Sequence, residues 1–290
     1  AIWGIAGPVI KNTLQFIPPF TFLFWRFLLA SLIFLPFFIF VARREKETIR
    51  SLLPIVPIGF LGIPLCLSFI FLGFQRTTAL DGTILAAMAP IFIVSAGVLF
   101  LKEKVTRLES IGLVIAVAGS IIMISQPLLE GGAFAQKNLV GNLLIFASNI
   151  VWTAYVICSK VEFKKHSPFV ITAVSFFTGL LAIFPLALIE SNLQITNYQL
   201  LITNYPVLFG ILYMVILSSV VAYFAFEQGL RLIEASEATL FAYLQPIFAA
   251  PLAVFWLKES ITPPFLLGAV IITLGVFLTE YRPRHLASRG

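Results

Sequence analysis

Charged residues are scarce in this sequence. Asp, Glu, Lys and Arg make up 11% of its 290 residues, whereas a soluble domain carries about 25%. Hydrophobic residues make up 60%, and the mean hydropathy is +1.02. A soluble core of this length could not cover so much apolar surface, and large exposed apolar patches drive association. The composition therefore excludes an ordinary soluble domain and predicts a protein solvated by a lipid bilayer.

Side chains that hold metals or act as nucleophiles are also few. Cys66 and Cys158 lie inside apolar runs at a spacing typical of neither a metal site nor a disulfide framework, so we interpret them as packing residues. The two histidines, His166 and His285, are expected in solvated cytoplasmic segments, and the HExxH and GxSxG motifs are missing. We therefore expect no enzyme, no metal and no cofactor. The net charge of +6 is typical of basic cytoplasmic loops and does not require a nucleic-acid partner.

Ten apolar segments approach or exceed the length of about 20 residues that a membrane-spanning helix needs. They are 1–15, 18–42, 51–75, 78–101, 108–127, 139–160, 168–190, 205–229, 235–257 and 264–281. Because the chain opens inside an apolar run and without Met, we expect an N-terminal piece to precede Ala1.

Basic residues are distributed unevenly between the two sides that these segments define. Fourteen of the 19 follow the second, fourth, sixth and eighth segments or lie in the tail, and four lie on the other side. Cytoplasmic loops carry the excess of Lys and Arg in membrane proteins. We therefore expect a multi-pass protein of the cytoplasmic (inner) membrane, with its C-terminus in the cytoplasm.

The sequence contains an internal duplication. Residues 79–119 align without a gap to residues 235–275 at an offset of 156, and 15 of the 41 pairs are identical. The front halves align at an offset of 149. Duplicated pairs include Trp3/Trp152, Lys11/Lys160, Pro19/Pro168, Pro90/Pro246, Gly112/Gly268 and Gly119/Gly275. Shared composition does not place prolines and glycines in one register, so we interpret the match as a repeat.

An odd number of helices in each repeat inverts the second copy in the membrane. We therefore predict an all-α membrane protein of ten transmembrane helices in two inverted five-helix repeats. The repeats are 1–127 and 139–281, joined by an external linker 128–138 and followed by a cytoplasmic tail 282–290. Inverted repeats are a transporter architecture, with the binding site near the membrane midplane between the repeats.

Two duplicated prolines, Pro90 and Pro246, fall near the centres of the fourth and ninth segments. Proline removes a backbone hydrogen bond and is tolerated in a membrane where neighbours or cavity water satisfy the freed carbonyl. We predict that the pair forms hinges beside a cavity. The alternative is that proline is simply commoner in spanning helices.

Polar and aromatic side chains share one face of the sixth segment. Ser148, Trp152 and Tyr155 recur at helical spacing, and Asn149 borders them. Such a face can bind a small amphipathic solute, although the same residues can also hold helices together. The candidate substrate-binding residues, with those of the ninth segment, are Trp3, Ser148, Asn149, Trp152, Tyr155, Tyr243 and Gln245.

Two charged side chains lie within or near the apolar segments. Arg26 either has a functional role inside the membrane or extends from the outer end of its helix to the headgroups. Glu227 either pairs with Arg231 at i+4 or exchanges protons during transport. Both residues are therefore candidates for a charge role, and protons are a candidate coupling partner.

Several motifs resemble a known family. Trp3-Gly4 leading to Lys11, the Trp25-Arg26-Phe27 run, and Pro90-Ile91-Phe92 before Leu101-Lys102-Glu103 resemble EamA-type members of the drug/metabolite transporter superfamily. Trp152-Thr153-Ala154-Tyr155 is similar to the opening helix of the second EamA domain. The resemblance covers essentially the whole chain. It implies a ten-helix inverted-repeat fold around a central cavity and the movement of small metabolites, often amino acids or related compounds.

The chain departs from that family at one point. The family usually shows a small polar pair after the Trp-Gly of the first helix, and Ile5-Ala6 stand there instead.

From the repeat, the candidate site and the resemblance together, we expect a secondary transporter that exports small organic metabolites by alternating access. The alternative is a non-transporting membrane scaffold or receptor.

Overall fold

The protein is helical throughout the part of the chain that a computed structural model describes. Described are residues 1–101, 107–130, 132–191, 203–233, 235, 242 and 244–280, and no strand occurs among them. The helices are α1 (Ile2–Thr13), α2 (Pro19–Arg44), α3 (Ile55–Arg76), α4 (Ala79–Phe100), α5 (Arg107–Glu130), α6 (Gly132–Glu162), α7 (Pro168–Glu190), α8 (Tyr205–Leu232), α9 (Gln245–Phe255) and α10 (Pro263–Glu280), with a single turn at Ile49–Leu52 between α2 and α3.

Six of these helices are long and apolar enough to cross a membrane: α2, α3, α4, residues Asn138–Glu162 of α6, α7 and α8. The apolar parts of α5, α9 and α10 are shorter. The expected linker 128–138 is helical at both ends, because α5 continues to Glu130 and α6 begins at Gly132. The sequence prediction of apolar membrane helices is confirmed for the six long ones.

Helix α4 is broken near its middle. Its first part ends at Ala86 and its second begins at Ala89, so that Pro90 occupies the first turn of the second part. Proline fits there because the first N–H groups of a helix have no partner inside the helix. Pro90 therefore starts a half-helix. The sequence had led us to expect the opposite, a proline that interrupts a continuous helix.

The residue two positions before Pro246 has the same backbone conformation as the one two positions before Pro90. The residue before the second part of α4, Met88, has φ −80° and ψ −7°, and its repeat counterpart Leu244 has φ −81° and ψ −10°. Pro246 likewise lies in the first turn of its helix. The two prolines therefore follow backbone segments of nearly the same conformation.

Helices α3 and α8 contain π-helical segments at corresponding places. The segment in α3 covers Leu61–Leu65 and includes Pro64, and the one in α8 covers Tyr213–Tyr223. Shifted by the repeat offset of 156, the first would fall inside the second. Such segments widen a helix and are frequent at functional sites.

Apart from the contact between α5 and α6, which follow each other along the chain, the main contacts between the first five helices and the last five come in matching sets. Exchanging each helix with its repeat counterpart turns one contact of a set into the other, or into itself. The sets are α1–α8 with α3–α6, α1–α9 with α4–α6, α2–α8 with α3–α7, and the self-matching α2–α7, α4–α9 and α5–α10.

Duplicated glycines let α5 and α10 touch through their backbones. A Cβ atom added at Gly119 would lie 3.0 Å from the carbonyl oxygen of Gly268. One added at Gly275 would lie 2.6 Å from the carbonyl oxygen of Gly112. Small residues that allow close backbone approach are typical of helix crossings in membranes.

The duplicated lysines close the C-terminal ends of two counterpart helices. Lys11 donates to the carbonyl oxygens of Phe74 (2.9 Å) and Thr77 (2.6 Å) at the end of α3. Lys160 donates to those of Leu230 (2.5 Å) and Ile233 at the end of α8. Each acceptor pair maps onto the other at the offset of 156. A cation at a helix C-terminus is favourable because the last carbonyls carry partial negative charge.

His166 corrects one sequence expectation. It was expected to be solvated, but it is buried, and its Nδ1 lies 2.8 Å from Oε1 of Glu47. The reason is that the chain after α2 folds onto the start of α7, where Ser167 also donates to Glu45 at 2.8 Å. His285 lies outside the described residues.

Candidate functional site

A cavity of about 620 Å³ lies where both halves of the chain meet. This volume is within the range of small-molecule sites. Its walls are mostly apolar, with residues contributed by α1, α3, α4, α6 and α8, by Arg26 of α2, and by Gln245 of α9. Of the sequence candidates, the lining includes Trp3, Arg26, Ser148, Asn149, Trp152 and Gln245.

The two duplicated tryptophans meet in the wall of this cavity. The rings of Trp3 and Trp152 are 5.9 Å apart at 89°, an edge-to-face contact. Tyr223 and Phe226 of α8 extend the aromatic cluster, with ring centroids 5.3 Å from Trp3 in both cases. Aromatic rings in such a cluster offer a rigid apolar surface to a solute.

Close helix packing and one hydrogen bond position Trp3. A Cβ atom at Gly4 would lie 2.7 Å from the carbonyl oxygen of Gln245, so only glycine lets α1 approach α9 this closely. The indole N–H of Trp3 donates to the carbonyl oxygen of Ser218 at 3.2 Å. That carbonyl belongs to the π-helical part of α8.

Only part of the polar face of α6 lines the cavity. Ser148 and Asn149 line the cavity, and both also bond within the protein. Ser148 donates to the carbonyl oxygen of Ile145 at 2.6 Å, and the side-chain amide of Asn149 donates to that of Leu85 at 2.8 Å. Leu85 belongs to the last turn before the break in α4. Asn149 therefore ties α6 to that break.

Tyr155 lies outside the cavity lining, although the sequence places it on the same helix face. It is fully buried, and its hydroxyl donates to Oε1 of Glu227 at 2.6 Å. Glu227 is fully buried as well. Because Glu227 faces α6, it forms no ion pair with the exposed Arg231 in the described structure, which removes the predicted i+4 pairing.

Arg26 is buried, with 1% of its surface exposed. Its Nε donates to the hydroxyl of Ser219 at 2.8 Å, and one terminal nitrogen donates to the hydroxyl of Ser218 at 3.3 Å. The guanidinium also lies 5.1 Å from the ring centre of Phe27. The side chain therefore does not extend to the headgroups, and the structure places it in the cavity wall.

Two of the sequence candidates, Tyr243 and Gln245, come from the ninth apolar segment. Tyr243 lies outside the described residues. Gln245 lines the cavity from the first turn of α9.

Sequence reasoning missed the contribution of α8. Ser218, Ser219 and Tyr223 meet Trp3 and Arg26 from this helix. The available signal was the adjacent serine pair inside an otherwise apolar span, because polar side chains in such spans usually face the protein interior.

Known transporters are similar to this chain in sequence. A sequence model of the EamA-like transporter family matches residues 1–125 and 139–281. An uncharacterized transporter of Archaeoglobus fulgidus is 27% identical over 280 residues, covering 96% of this chain and 93% of its own length. The uncharacterized transporter YyaM of Bacillus subtilis is 26% identical, covering 94% and 88%.

One solved crystal structure has a similar fold. It superposes with a TM-score of 0.60 at 17% sequence identity and covers 100% of this chain and 95% of its own. At this identity the likeness concerns the fold alone.

Proposed function

The chain belongs to the EamA-like transporter family, and from this premise we propose that it exports small organic metabolites by alternating access. Membership makes it a multi-pass membrane transporter with a small-molecule substrate, and it confirms the resemblance found in the sequence. The direction, the mechanism and the substrate class of amino acids or related compounds are parts of the proposal.

We propose ten spans in two inverted five-helix repeats, 1–127 and 139–281, joined by residues 128–138 and followed by the tail 282–290. The matching helix contacts support this architecture, as do the equivalent lysine caps. The family match in two segments supports it as well.

The proposed motion is a rocking of the two halves about the paired prolines, Pro90 and Pro246. Discontinuous helices near the midplane are typical of transporters built from inverted repeats. The cavity lies between the halves, so such a motion would open it to one side at a time. Tyr243 stays among the proposed substrate-binding residues.

The proposal also covers the orientation of the protein in the membrane and the ion that drives transport. We propose that the protein lies in the inner membrane with its C-terminus in the cytoplasm, and the uneven distribution of basic residues supports this orientation. Protons are proposed as the coupling ion, with Glu227 as the group that binds them. Its burial beside Tyr155, and the absence of any cation bonded to it in the described structure, support this assignment.

The observation that carries the proposal is the meeting of Trp3 and Trp152 in the cavity wall. We expect Trp152→Ala to lower the initial rate of uptake into everted vesicles at least about tenfold, because a large aromatic surface is lost from the site. The probes are labelled phenylalanine, leucine and their deaminated acids. The matched control is Trp256→Ala, which changes a partly exposed tryptophan outside the cavity.

The alternative of a non-transporting scaffold or receptor gives a different result. It requires no flux of any probe above that of empty membranes, although purified protein could still bind one of them. Unchanged uptake by Trp152→Ala at normal abundance would instead remove the cavity wall from the transport path.

A further inference from the structure

Arg26 is the one charged side chain among the described residues that line the cavity. Its guanidinium has five N–H donors. The two serine hydroxyls of α8 use two of them, and the other three have no hydrogen-bond partner in the described structure. A buried donor group that reaches a cavity in this state is available to a ligand.

No carboxylate neutralises this charge within the described part of the chain. None of the ion pairs found there includes Arg26, and the cavity lining contains no Asp or Glu. Glu227 of α8 is turned to Tyr155. A buried charge is costly unless it is paired, and the cost is larger in a membrane. The site therefore favours a ligand that brings a negative charge.

The duplication shows that the helical scaffold does not require this cation. At the offset of 149, the counterpart of Arg26 is Ser175, and at the offset of 156 the counterparts of Ser218 and Ser219 are Gly62 and Ile63. The same helix contacts are thus made in the other half without an arginine. Arg26 and its serines are an addition to one side of the cavity.

We propose that the substrate is a small organic monocarboxylate, whose carboxylate pairs with Arg26 and whose apolar body lies against Trp3 and Trp152. The planar guanidinium matches a carboxylate, and charge-assisted hydrogen bonds of this kind are strong. A single cation in a mostly apolar wall neutralises one negative charge, which disfavours strongly hydrated dianions such as phosphate esters. This inference rests on the proposed function, since it names the substrate chemistry of the same site.

The test compares three ligands with the same body in binding to the purified full chain. They are 3-phenylpropionate, the neutral 3-phenylpropanamide and the cationic 3-phenylpropylamine, measured by calorimetry at neutral pH. We expect the carboxylate to bind at least about tenfold more tightly than the amide, because only the carboxylate neutralises the buried charge. The amine should bind more weakly than both.

Variants locate the preference at Arg26. Arg26→Gln should remove the difference between carboxylate and amide, and Arg26→Lys should keep its sign with a smaller ratio. The matched control is Arg44→Gln, which removes an exposed cation from the same helix and should leave the ratio unchanged. If the glutamine variant does not fold, the proposal is still tested by the carboxylate-to-amide affinity ratio of the wild-type protein and of the lysine variant.

The inference is overturned if wild-type protein binds the amide or the amine as tightly as the carboxylate, if millimolar carboxylate does not bind, or if Arg26→Gln keeps the preference. Flux of labelled ligand into proteoliposomes separates this failure from that of the proposed function. Carboxylate binding without flux contradicts the transporter proposal alone. Flux with no preference for the carboxylate contradicts the inference alone.

Discussion

Lys11 and Lys160 make the same contacts in the two halves of the chain, whereas Arg26 and its counterpart Ser175 share no chemistry. The lysines cap the C-terminal ends of the counterpart helices α3 and α8. The duplicated glycines lie where α5 and α10 cross. The charges near the cavity follow no such rule, since the counterpart of Glu227 is Phe71. The packing framework and the two cavity tryptophans are thus duplicated, whereas the ionisable groups beside the cavity are single. We therefore propose that the duplicated glycines and lysines maintain the architecture, and that the single ionisable groups determine which substrate and which coupling ion bind.

The largest effect expected from breaking the symmetric part is at the crossing of α5 and α10. Gly119→Ala and Gly275→Ala should each lower the free energy of unfolding by about 1–3 kcal/mol, because the new methyl group overlaps the facing backbone. The measurement is the fraction of protein that stays monodisperse in detergent after heating. Gly229→Ala is the control, because a Cβ atom there meets nothing within 4 Å. Equal losses at all three glycines would show that the crossing has no special role.

A smaller and matched effect is expected at the lysine caps. Lys11→Met and Lys160→Met should each lower the free energy of unfolding by about 1–2 kcal/mol, since each leaves two carbonyl groups at a helix end without their charged donor. The same heating assay compares them, and Lys165→Met provides an exposed control, whose ion pair with Glu162 lies at the surface. A large loss for one cap and none for the other would contradict their equivalence.

The smallest effect on stability is expected at the asymmetric carboxyl. Glu227→Gln keeps an oxygen that can accept the bond from the Tyr155 hydroxyl, so the folded state should be changed little. If Glu227 binds the coupling proton, the variant should lose the stimulation of transport by a pH gradient while it still exchanges substrate across the membrane. Tyr155 and Tyr223 are the titratable neighbours, and Tyr155→Phe tests whether the phenol carries the effect instead. Gradient-driven transport by Glu227→Gln at the wild-type rate would exclude Glu227 as the proton site.

The sequence predicts the duplicated features well because identity at a fixed offset marks them. Trp3 and Trp152 were paired by offset alone, and the structure brings their rings together. Glycine and proline are informative for the same reason, since each has a restricted set of structural uses. The prediction therefore succeeds where one residue type at two related positions has one physical explanation.

The single features were harder to predict because their surroundings come from distant parts of the chain. Arg26 could have extended to the headgroups, and only α8 shows why it does not, through Ser218 and Ser219. Helical spacing offered Arg231 as one possible partner of Glu227, but the facing residue of α6 determines its partner. The break in α4 also escaped notice, because a proline that starts a half-helix and one that bends a whole helix look alike in a sequence.

The most direct test of the inverted duplication uses two exposed positions that the repeat relates. Gln15 follows α1, and its counterpart Lys164 follows α6 at the offset of 149. In a background with Cys66→Ala and Cys158→Ala, Gln15→Cys and Lys164→Cys are each treated in intact cells with a thiol reagent that does not cross membranes. The inverted architecture predicts that Gln15→Cys is labelled from outside and that Lys164→Cys is labelled only after permeabilisation. Labelling of both from the same side would contradict it.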